Sequence, residues 1–218
     1  MKCAEAADVR RILDAVGARI IENRELLTDL DRAIGDADHG VNMARGFEAV
    51  IRKLASMPDA DIEEILKATG MTLVSTVGGA SGPLYGTAFL YAAQELKGVT
   101  EVTRAHLARA VRAAVNGIVR RGRAVIGDKT MLDAIEPVAA FLESSDASAC
   151  DGAACAEEVR KRVRSGMEST IPMQARKGRA SFLGERSVGH CDPGAMSGCI
   201  IIEAALGALC DRGAEPHS

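Results

Sequence analysis

The chain has 218 residues, of which 47% are hydrophobic and 26% are charged, as in an ordinary globular protein. Its 27 Lys and Arg against 30 Asp and Glu give a formal net charge of -3, which argues against a nucleic-acid binder that works through bulk positive charge and against a polybasic membrane anchor. Aromatic residues make up only 3%, and this composition favours close-packed helices over strands.

The N-terminal sequence MKCAEAADVRR lacks the apolar segment of a secretory signal. No stretch of the chain approaches the roughly 18 apolar residues of a membrane span. We therefore expect a cytoplasmic protein whose six cysteines are reduced thiols: Cys3, Cys150, Cys155, Cys191, Cys199 and Cys210.

Hydrophobic spacing in the first half of the chain predicts four helices. In the first, residues 9, 12, 13, 16 and 20 form one apolar stripe, and the helix is expected to end near Thr28. A loop rich in Asp and Gly follows as far as Asp38. The next three helices are expected at residues 39–56, 62–77 and 81–96.

Four more helices are predicted in the second half. They run from an N-cap at Thr103 to a glycine loop at 122–128, and then over 130–142, 154–174 and 193–211. The loop 175–191 is too long for a simple connector and is therefore expected to be functional or mobile. Because the other connections are short, we expect residues 1–218 to form a single all-α domain, an antiparallel up-and-down barrel or bundle of eight helices.

Three carboxylates fall within eight residues of the first loop: Asp31, Asp36 and Asp38. Two carboxylates about 4 Å apart repel each other by roughly 4 kcal/mol at an effective dielectric constant near 20, so such a cluster needs a cation. Ligands that are all oxygen suit Mg²⁺, Ca²⁺ or Mn²⁺. The alternative is local, with Asp38 capping the second helix and Asp36 forming a turn.

Three later segments carry further candidate chemistry. Residues 78–86, GGASGPLYG, either form an anion nest at a helix start or allow tight helix contact. Lys129, in GDKT, either belongs to an N-capped helix start or faces a phosphate or carboxylate. In the basic loop, Arg176 or Arg179 could neutralise phosphate oxygens, and Asp192 could be an N-cap.

These four segments occupy the breaks after the first, third, fifth and seventh predicted helices. In an up-and-down bundle, these breaks lie at the same end. The other breaks, at 56–60, 97–102 and 146–152, carry no comparable residues. The pattern therefore predicts a Mg²⁺–nucleotide site at one end of the bundle.

The stretches IGDADHG-x-N-M, GGASGPLYGT, GDKTM-x-D-A and ARKGRASFLGERS-x-GH-x-DPGA resemble the nucleotide-binding L subunits of dihydroxyacetone kinases. The resemblance implies an eight-helix barrel in which two Mg²⁺ ions are held by Asp31, Asp36 and Asp38. It implies Arg179 as the catalytic residue. It also implies nucleotide contacts from His39, Gly40, Val41, Asn42, Ala80, Ser81, Gly122, Met131, Arg179, Asp192, Pro193 and Gly194. Ala37 stands where a glycine is usual, Val41 where the residue is often polar, and Cys191 where it is normally aliphatic.

By the same resemblance, the chain is expected to use Mg²⁺-bound ADP/ATP to relay a phosphoryl group. The donor is a phosphohistidine on an M subunit, and the acceptor is dihydroxyacetone held on a K subunit. A transcriptional regulator and a second copy of the chain are further implied partners. The alternatives are a split ATP-dependent kinase for dihydroxyacetone or another ketose or tetrose, a nucleotide-dependent regulatory module, and a metal-dependent phosphohydrolase with His39 as general base.

Overall fold

A computed structural model of the chain describes residues 4–211 and leaves the side chains at positions 148 and 211 undescribed, so Cys3 lies outside the described residues. The described part is all-helical: it has ten α-helices, one 3-10 helix and no β-strand. The α-helices are α1 (Ala6–Glu22), α2 (Arg24–Ile34), α3 (His39–Ala55), α4 (Ile62–Thr76), α5 (Ser81–Glu95), α6 (Arg104–Gly122), α7 (Met131–Glu143), α8 (Ser145–Ala149), α9 (Gly152–Ser169) and α10 (Pro193–Asp211). The 3-10 helix is Arg179–Ser187.

The first predicted helix is two helices in the structure. Asn23 leaves helical geometry at φ -92° and ψ 15°, and its side-chain amide donates to the carbonyl of Arg19 at 2.8 Å. α2 then continues to Ile34, beyond the expected end near Thr28. The buried face of α2 includes Asp31. Because a carboxylate is not counted in an apolar stripe, the hydrophobic pattern placed the end of the helix too early.

Two other boundaries differ from the prediction. The short helix α8 was not expected; the Ser144 hydroxyl caps it by accepting the N–H of Ala147 at 3.3 Å. α9 ends at Ser169 instead of residue 174, and the 3-10 helix lies inside the predicted loop 175–191. The predicted N-cap Thr103 is confirmed, since its side-chain oxygen accepts the N–H of His106 at 3.2 Å. The N-capped helix start predicted near Lys129 is also found, and the capping residue is Thr130, whose side-chain oxygen accepts the N–H of Leu132 at 3.2 Å.

Helices that follow one another along the chain lie side by side. α3 packs on α4, α4 on α5, α5 on α6, α6 on α7, α7 on α9 and α9 on α10, while α1 contacts both α3 and α10. The main core between them is apolar, with Ile20, Leu27, Phe47 and Ile65 each at 0% exposure. This arrangement brings helix ends, rather than helix faces, to the surface that carries the acidic loop.

α10 corrects the expectation that no segment resembles a membrane span. By length and composition, residues 193–210 could cross a membrane, since only Glu203 is charged within them. In the structure, however, α10 packs against α1, α7 and α9. A single helix of this kind is weak evidence for a membrane protein, because a core helix of a soluble protein has the same composition.

Replacing Gly166 by alanine is expected to destabilise the fold by about 1–3 kcal/mol, since a Cβ there would lie 2.4 Å from the backbone oxygen of Asp133 on α7. Gly207 on α10 is the matched control because a Cβ there meets nothing within 4 Å. Gly207→Ala should leave stability unchanged or raise it by up to about 1 kcal/mol. Urea unfolding of both variants measures the difference, and equal midpoints would contradict the close α7–α9 contact.

Candidate functional site

One end of the helical assembly contains a cavity of about 430 Å³. Its wall is built from the loop before α3, the turn before α5, the loop before α7 and the segment before α10. The structure thus brings the four predicted segments together at one end. Four helices, α3, α5, α7 and α10, begin on this wall, so the positive ends of their dipoles face the same space, which favours an anion.

The acidic cluster lies on this wall. Single carboxylate oxygens of Asp31, Asp36 and Asp38 all lie within 4.8 Å of one another. Asp31 is buried in the last turn of α2, and its Oδ2 accepts the N–H groups of Asp38 at 2.9 Å and His39 at 3.1 Å. The suggestion that the Asp38 side chain caps α3 is therefore wrong, because Asp31 supplies the cap.

The backbone between these aspartates is tightly constrained. A Cβ at Gly35 would lie 2.0 Å from Asp31 Oδ1, so a side chain there would displace the carboxylate. Ala37 adopts a left-handed backbone with φ 62°, which costs a non-glycine residue roughly 1–2 kcal/mol. This conformation gives a physical reason for the glycine that is usual at that position.

Charge in the cluster is poorly balanced by the chain itself. Within residues 4–211, the only ion pair to these carboxylates joins Arg179 Nε and Asp36 Oδ2 at 2.9 Å. Three negative charges thus face one guanidinium, which is itself 70% exposed. An all-oxygen donor set with excess negative charge fits a hard divalent cation such as Mg²⁺.

A buried polar chain links three of the helices at the cavity. His39 Nδ1 lies 3.1 Å from Ser81 Oγ, and His39 Nε2 lies 3.0 Å from Ser197 Oγ. Ser197 Oγ is 2.8 Å from the hydroxyl of Tyr85, which donates to the carbonyl of Gly194 at 2.9 Å. Burial lowers the pKa of His39 to about 4, so the imidazole is neutral at physiological pH and is a weak base.

Asp192, directly before α10, caps that helix and has a raised pKa. Its Oδ2 accepts the N–H of Ala195 at 2.7 Å, which confirms the suggested N-cap. Burial raises the pKa of its carboxyl group to about 7. This carboxyl group therefore titrates near physiological pH, and it does so on the cavity wall.

Most of the predicted site residues line the cavity, but two do not. Gly40 is buried against α2, where a Cβ would lie 2.0 Å from the carbonyl oxygen of Arg24, and Val41 is 37% exposed. Of the two candidate arginines, Arg179 lines the cavity and Arg176 does not. The predicted residues on the wall are Asp31, Asp36, Asp38, His39, Asn42, Ala80, Ser81, Gly122, Met131, Arg179, Asp192, Pro193 and Gly194.

Two residues of the site were not predicted from the sequence, and a third was predicted to do something else. Tyr85 and Ser197 join the buried polar chain across 112 positions of sequence, a contact that no local pattern reveals. Lys129 was suggested to face a phosphate or carboxylate. Instead its Nζ donates to three backbone carbonyls, so none of its donors is free for an anion.

Comparison with known proteins gives one consistent family. Residues 33–207 match the model of the DAK2 domain. The chain is 52% identical over 173 residues to the ADP-binding subunit of PEP-dependent dihydroxyacetone kinase from Escherichia coli K12, covering 79% of this chain and 82% of that protein. It is 43% identical over 196 residues to the corresponding subunit of kinase 1 from Listeria innocua, covering 90% of this chain and 93% of that protein.

A solved structure supports the fold. The dihydroxyacetone kinase from C. freundii, in complex with AMP-PNP and Mg²⁺, superimposes with a TM-score of 0.72 at 23% sequence identity. The superposition covers 95% of this chain but 35% of that kinase, so the chain spans about a third of the solved protein. At this identity the likeness concerns the helical fold alone.

Asp192→Asn should change how stability depends on pH. Because the folded pKa of about 7 lies above the unfolded value near 3.8, the folded state holds a proton that the unfolded chain releases. That contribution is complete below about pH 4 and is lost as pH rises to 7. The asparagine variant keeps a capping oxygen without ionising. Relative to the parent it should therefore gain stability on the order of 4 kcal/mol as pH rises from below the unfolded pKa to above the folded one.

Denaturant unfolding of the nucleotide-free protein at several pH values measures this difference. Asp151→Asn is the matched control, since Asp151 is an exposed aspartate that caps α9 through the N–H of Ala154 at 2.8 Å. A constant stability difference between the Asp192→Asn variant and the parent from pH 4 to 8 would contradict the raised pKa.

Proposed function

The chain belongs to the DAK2 domain family, and from that membership we propose that it is the ADP-binding subunit of a phosphoenolpyruvate-dependent dihydroxyacetone kinase. It relays a phosphoryl group from a phosphohistidine on an M subunit to dihydroxyacetone held on a K subunit, giving dihydroxyacetone phosphate. The observation that carries the proposal is the position of three clustered carboxylates and Arg179 on a wall where four helices begin.

The acidic residues of the site bind a cation, and its arginine binds an anion. Asp31, Asp36 and Asp38 hold two Mg²⁺ ions, which when bound neutralise the charge of the nucleotide phosphates. Arg179 exchanges its contact with Asp36 for the transferred phosphoryl group and stabilises the charge on it. The polar atoms at the starts of α3, α5 and α10, which line the same cavity, orient the nucleotide.

The helix contacts support a closed architecture. Eight helices each pack on the next, and the last packs on the first, as in an eight-helix barrel; in order they are α1, α3, α4, α5, α6, α7, α9 and α10. α2 and α8 are then additions to that ring. We infer that residues 1–218 form one domain of this kind and that the protein works in the cytoplasm; the homodimer and the transcriptional regulator remain predictions.

The geometry does not favour the phosphohydrolase alternative. A general base must take a proton from an attacking water. His39 has both ring nitrogens within hydrogen-bonding distance of serine hydroxyls, is 7% exposed and has a pKa near 4. A group in this state positions its neighbours and does not accept a proton from bulk water.

Exposed apolar residues around the cavity support docking of the K subunit there. Val125, Ile126 and Phe182 are 62%, 61% and 88% exposed and lie within three residues of cavity-lining positions. The connections at the opposite end, 56–61, 96–103 and 144–151, contain no exposed large hydrophobic side chain that the structure describes. Phosphoryl transfer requires that water be excluded from the cavity mouth, and an apolar contact surface around it serves that purpose.

Purified chain is expected to retain ADP and Mg²⁺ in native mass spectrometry and to transfer phosphate to dihydroxyacetone when K and phosphorylated M are supplied. If ATP supports turnover without M, the split ATP-dependent kinase is the correct form. A chain that neither retains nor binds ADP in the presence of Mg²⁺ would refute the proposal.

Asp36→Ala should weaken Mg²⁺-dependent ADP binding by about 10- to 100-fold, because a carboxylate–cation contact at an effective dielectric near 20 contributes a few kcal/mol. Titration calorimetry with ADP at fixed Mg²⁺ measures the change. Asp29→Ala, which removes an exposed carboxylate of α2 paired with Arg32, is the control and should bind as the parent does. Equal losses in both variants would mean that the acidic loop has no special role.

Phe182→Ser should weaken the complex with the K subunit by about tenfold or more while leaving Mg²⁺–ADP affinity unchanged, since an exposed aromatic ring is a typical interface anchor. Met71→Ser, at an α4 residue that is 58% exposed, is the control for loss of a surface apolar side chain. Analytical ultracentrifugation or surface binding gives both affinities. Unaltered K binding by the Phe182 variant would move the docking surface elsewhere.

A further inference from the structure

A buried lysine holds the segment that carries Arg179. The Lys129 side chain is 1% exposed, and its Nζ donates to the carbonyl oxygens of Met173 at 3.0 Å, Ser187 at 2.6 Å and His190 at 2.6 Å. An ammonium has three N–H donors and no acceptor, so these three bonds use it completely. Met173 precedes Arg179 in the sequence, and Ser187 and His190 follow it. One ammonium therefore joins the two ends of the loop 173–190.

Weaker bonds reinforce the same closure. The hydroxyl of Ser187 accepts the N–H of Ala175 at 2.9 Å and donates to the carbonyl of Gly184 at 2.6 Å. The N–H of Gly189 donates to the carbonyl of Ile171 at 2.8 Å. All of these bonds lie at the base of the loop and none lies beside Arg179.

The hydrogen bonds at the tip of the loop are local, since the N–H and the hydroxyl of Ser181 both donate to the carbonyl of Gly178, at 3.3 and 2.7 Å. The apolar support of the loop is a small cluster of Ile34, Ala175 and Ala180 with Leu183 packed against it. The Arg179 side chain is 70% exposed and, among the residues that the structure describes, forms one ion pair, to Asp36. The position of this guanidinium over the cavity is therefore set mainly by the backbone at the base of the loop.

We propose that Lys129 is a positioning residue for phosphoryl transfer, which fixes Arg179 over the cavity by binding the carbonyls at both ends of residues 173–190. This inference rests on the proposed function for the role of Arg179. It adds a second residue to that role, Lys129, whose donors are all used by backbone carbonyls. Methionine at this position would leave three carbonyls without this donor, of which the one of Ser187 is buried and the other two are partly buried. Arginine, with its planar fork, cannot direct three donors from one point.

A double-mutant cycle with Lys129→Met and Arg179→Gln tests this coupling. Since misplacement of a reacting or stabilising group by about 1 Å can cost about 100-fold, Lys129→Met should lower kcat by roughly 10- to 100-fold, with ADP affinity changed less than about threefold. In the Arg179→Gln background, Lys129→Met should cost less than about twofold more. Rate losses that multiply in the double variant would overturn the proposal, because a general loss of structure acts regardless of Arg179.

Lys161→Met is the matched control, since Lys161 is an exposed lysine on α9, and it should transfer phosphate as the parent does. If circular dichroism shows that Lys129→Met does not fold, Ser187→Ala takes its place in the cycle, because its hydroxyl closes the same loop without carrying charge. The same non-additivity with Arg179→Gln is expected, and additive losses overturn the proposal equally.

Amide hydrogen exchange of the nucleotide-free protein separates this inference from the proposed function. Amides of residues 174–191 should exchange at least about tenfold faster in Lys129→Met, or in Ser187→Ala, than in the parent, whether or not the chain binds ADP. Unchanged exchange would overturn the clamp. A parent chain that shows protected loop amides but no Mg²⁺-dependent ADP binding would instead refute the proposed function.

Discussion

Two opposite electrostatic demands meet in one cavity. The starts of α3, α5, α7 and α10 favour an anion, whereas three carboxylates with a single arginine partner require a cation. A polyphosphate with bound Mg²⁺ satisfies both at once, and neither a free metal nor a free anion does. The helical framework serves this requirement, since packing successive helices side by side is what brings four of their starts to the same wall.

The parts of the fold that could be predicted are those where burial follows an apolar stripe. α4 and α6 came within a residue or two of their expected bounds for that reason, and the four chemistry-bearing breaks could be assigned to one end from helix parity alone. α2 was shortened because its buried face contains Asp31, a residue whose burial depends on the hydrogen bonds it accepts from the start of α3. Local hydrophobicity carries no information about such a bond.

The site shows the same division. Clustered aspartates and glycines are visible in sequence because the chain supplies them in one stretch. The hydrogen-bonded series His39–Ser197–Tyr85 is not visible in the sequence, since it joins residues of three helices. The burial of Lys129 is not visible either, since its carbonyl partners are 44 to 61 residues away. These long-range polar contacts hold in place the loops whose residues the sequence motifs identify. The motifs therefore predict which residues form the cavity, and the structure shows which contacts position them.

Asp31 has consequences for how variation in this family is interpreted. One of its oxygens accepts two amides at the beginning of α3, and its other oxygen occupies the space that a Cβ at Gly35 would take. If Asp31 holds Mg²⁺ as proposed, a change at this position combines a loss of ion affinity with fraying of a helix end. With the proposed ligands, ion binding can vary with less effect on folding at the two more exposed aspartates, Asp36 and Asp38, so divergence of metal preference among related chains should be sought there.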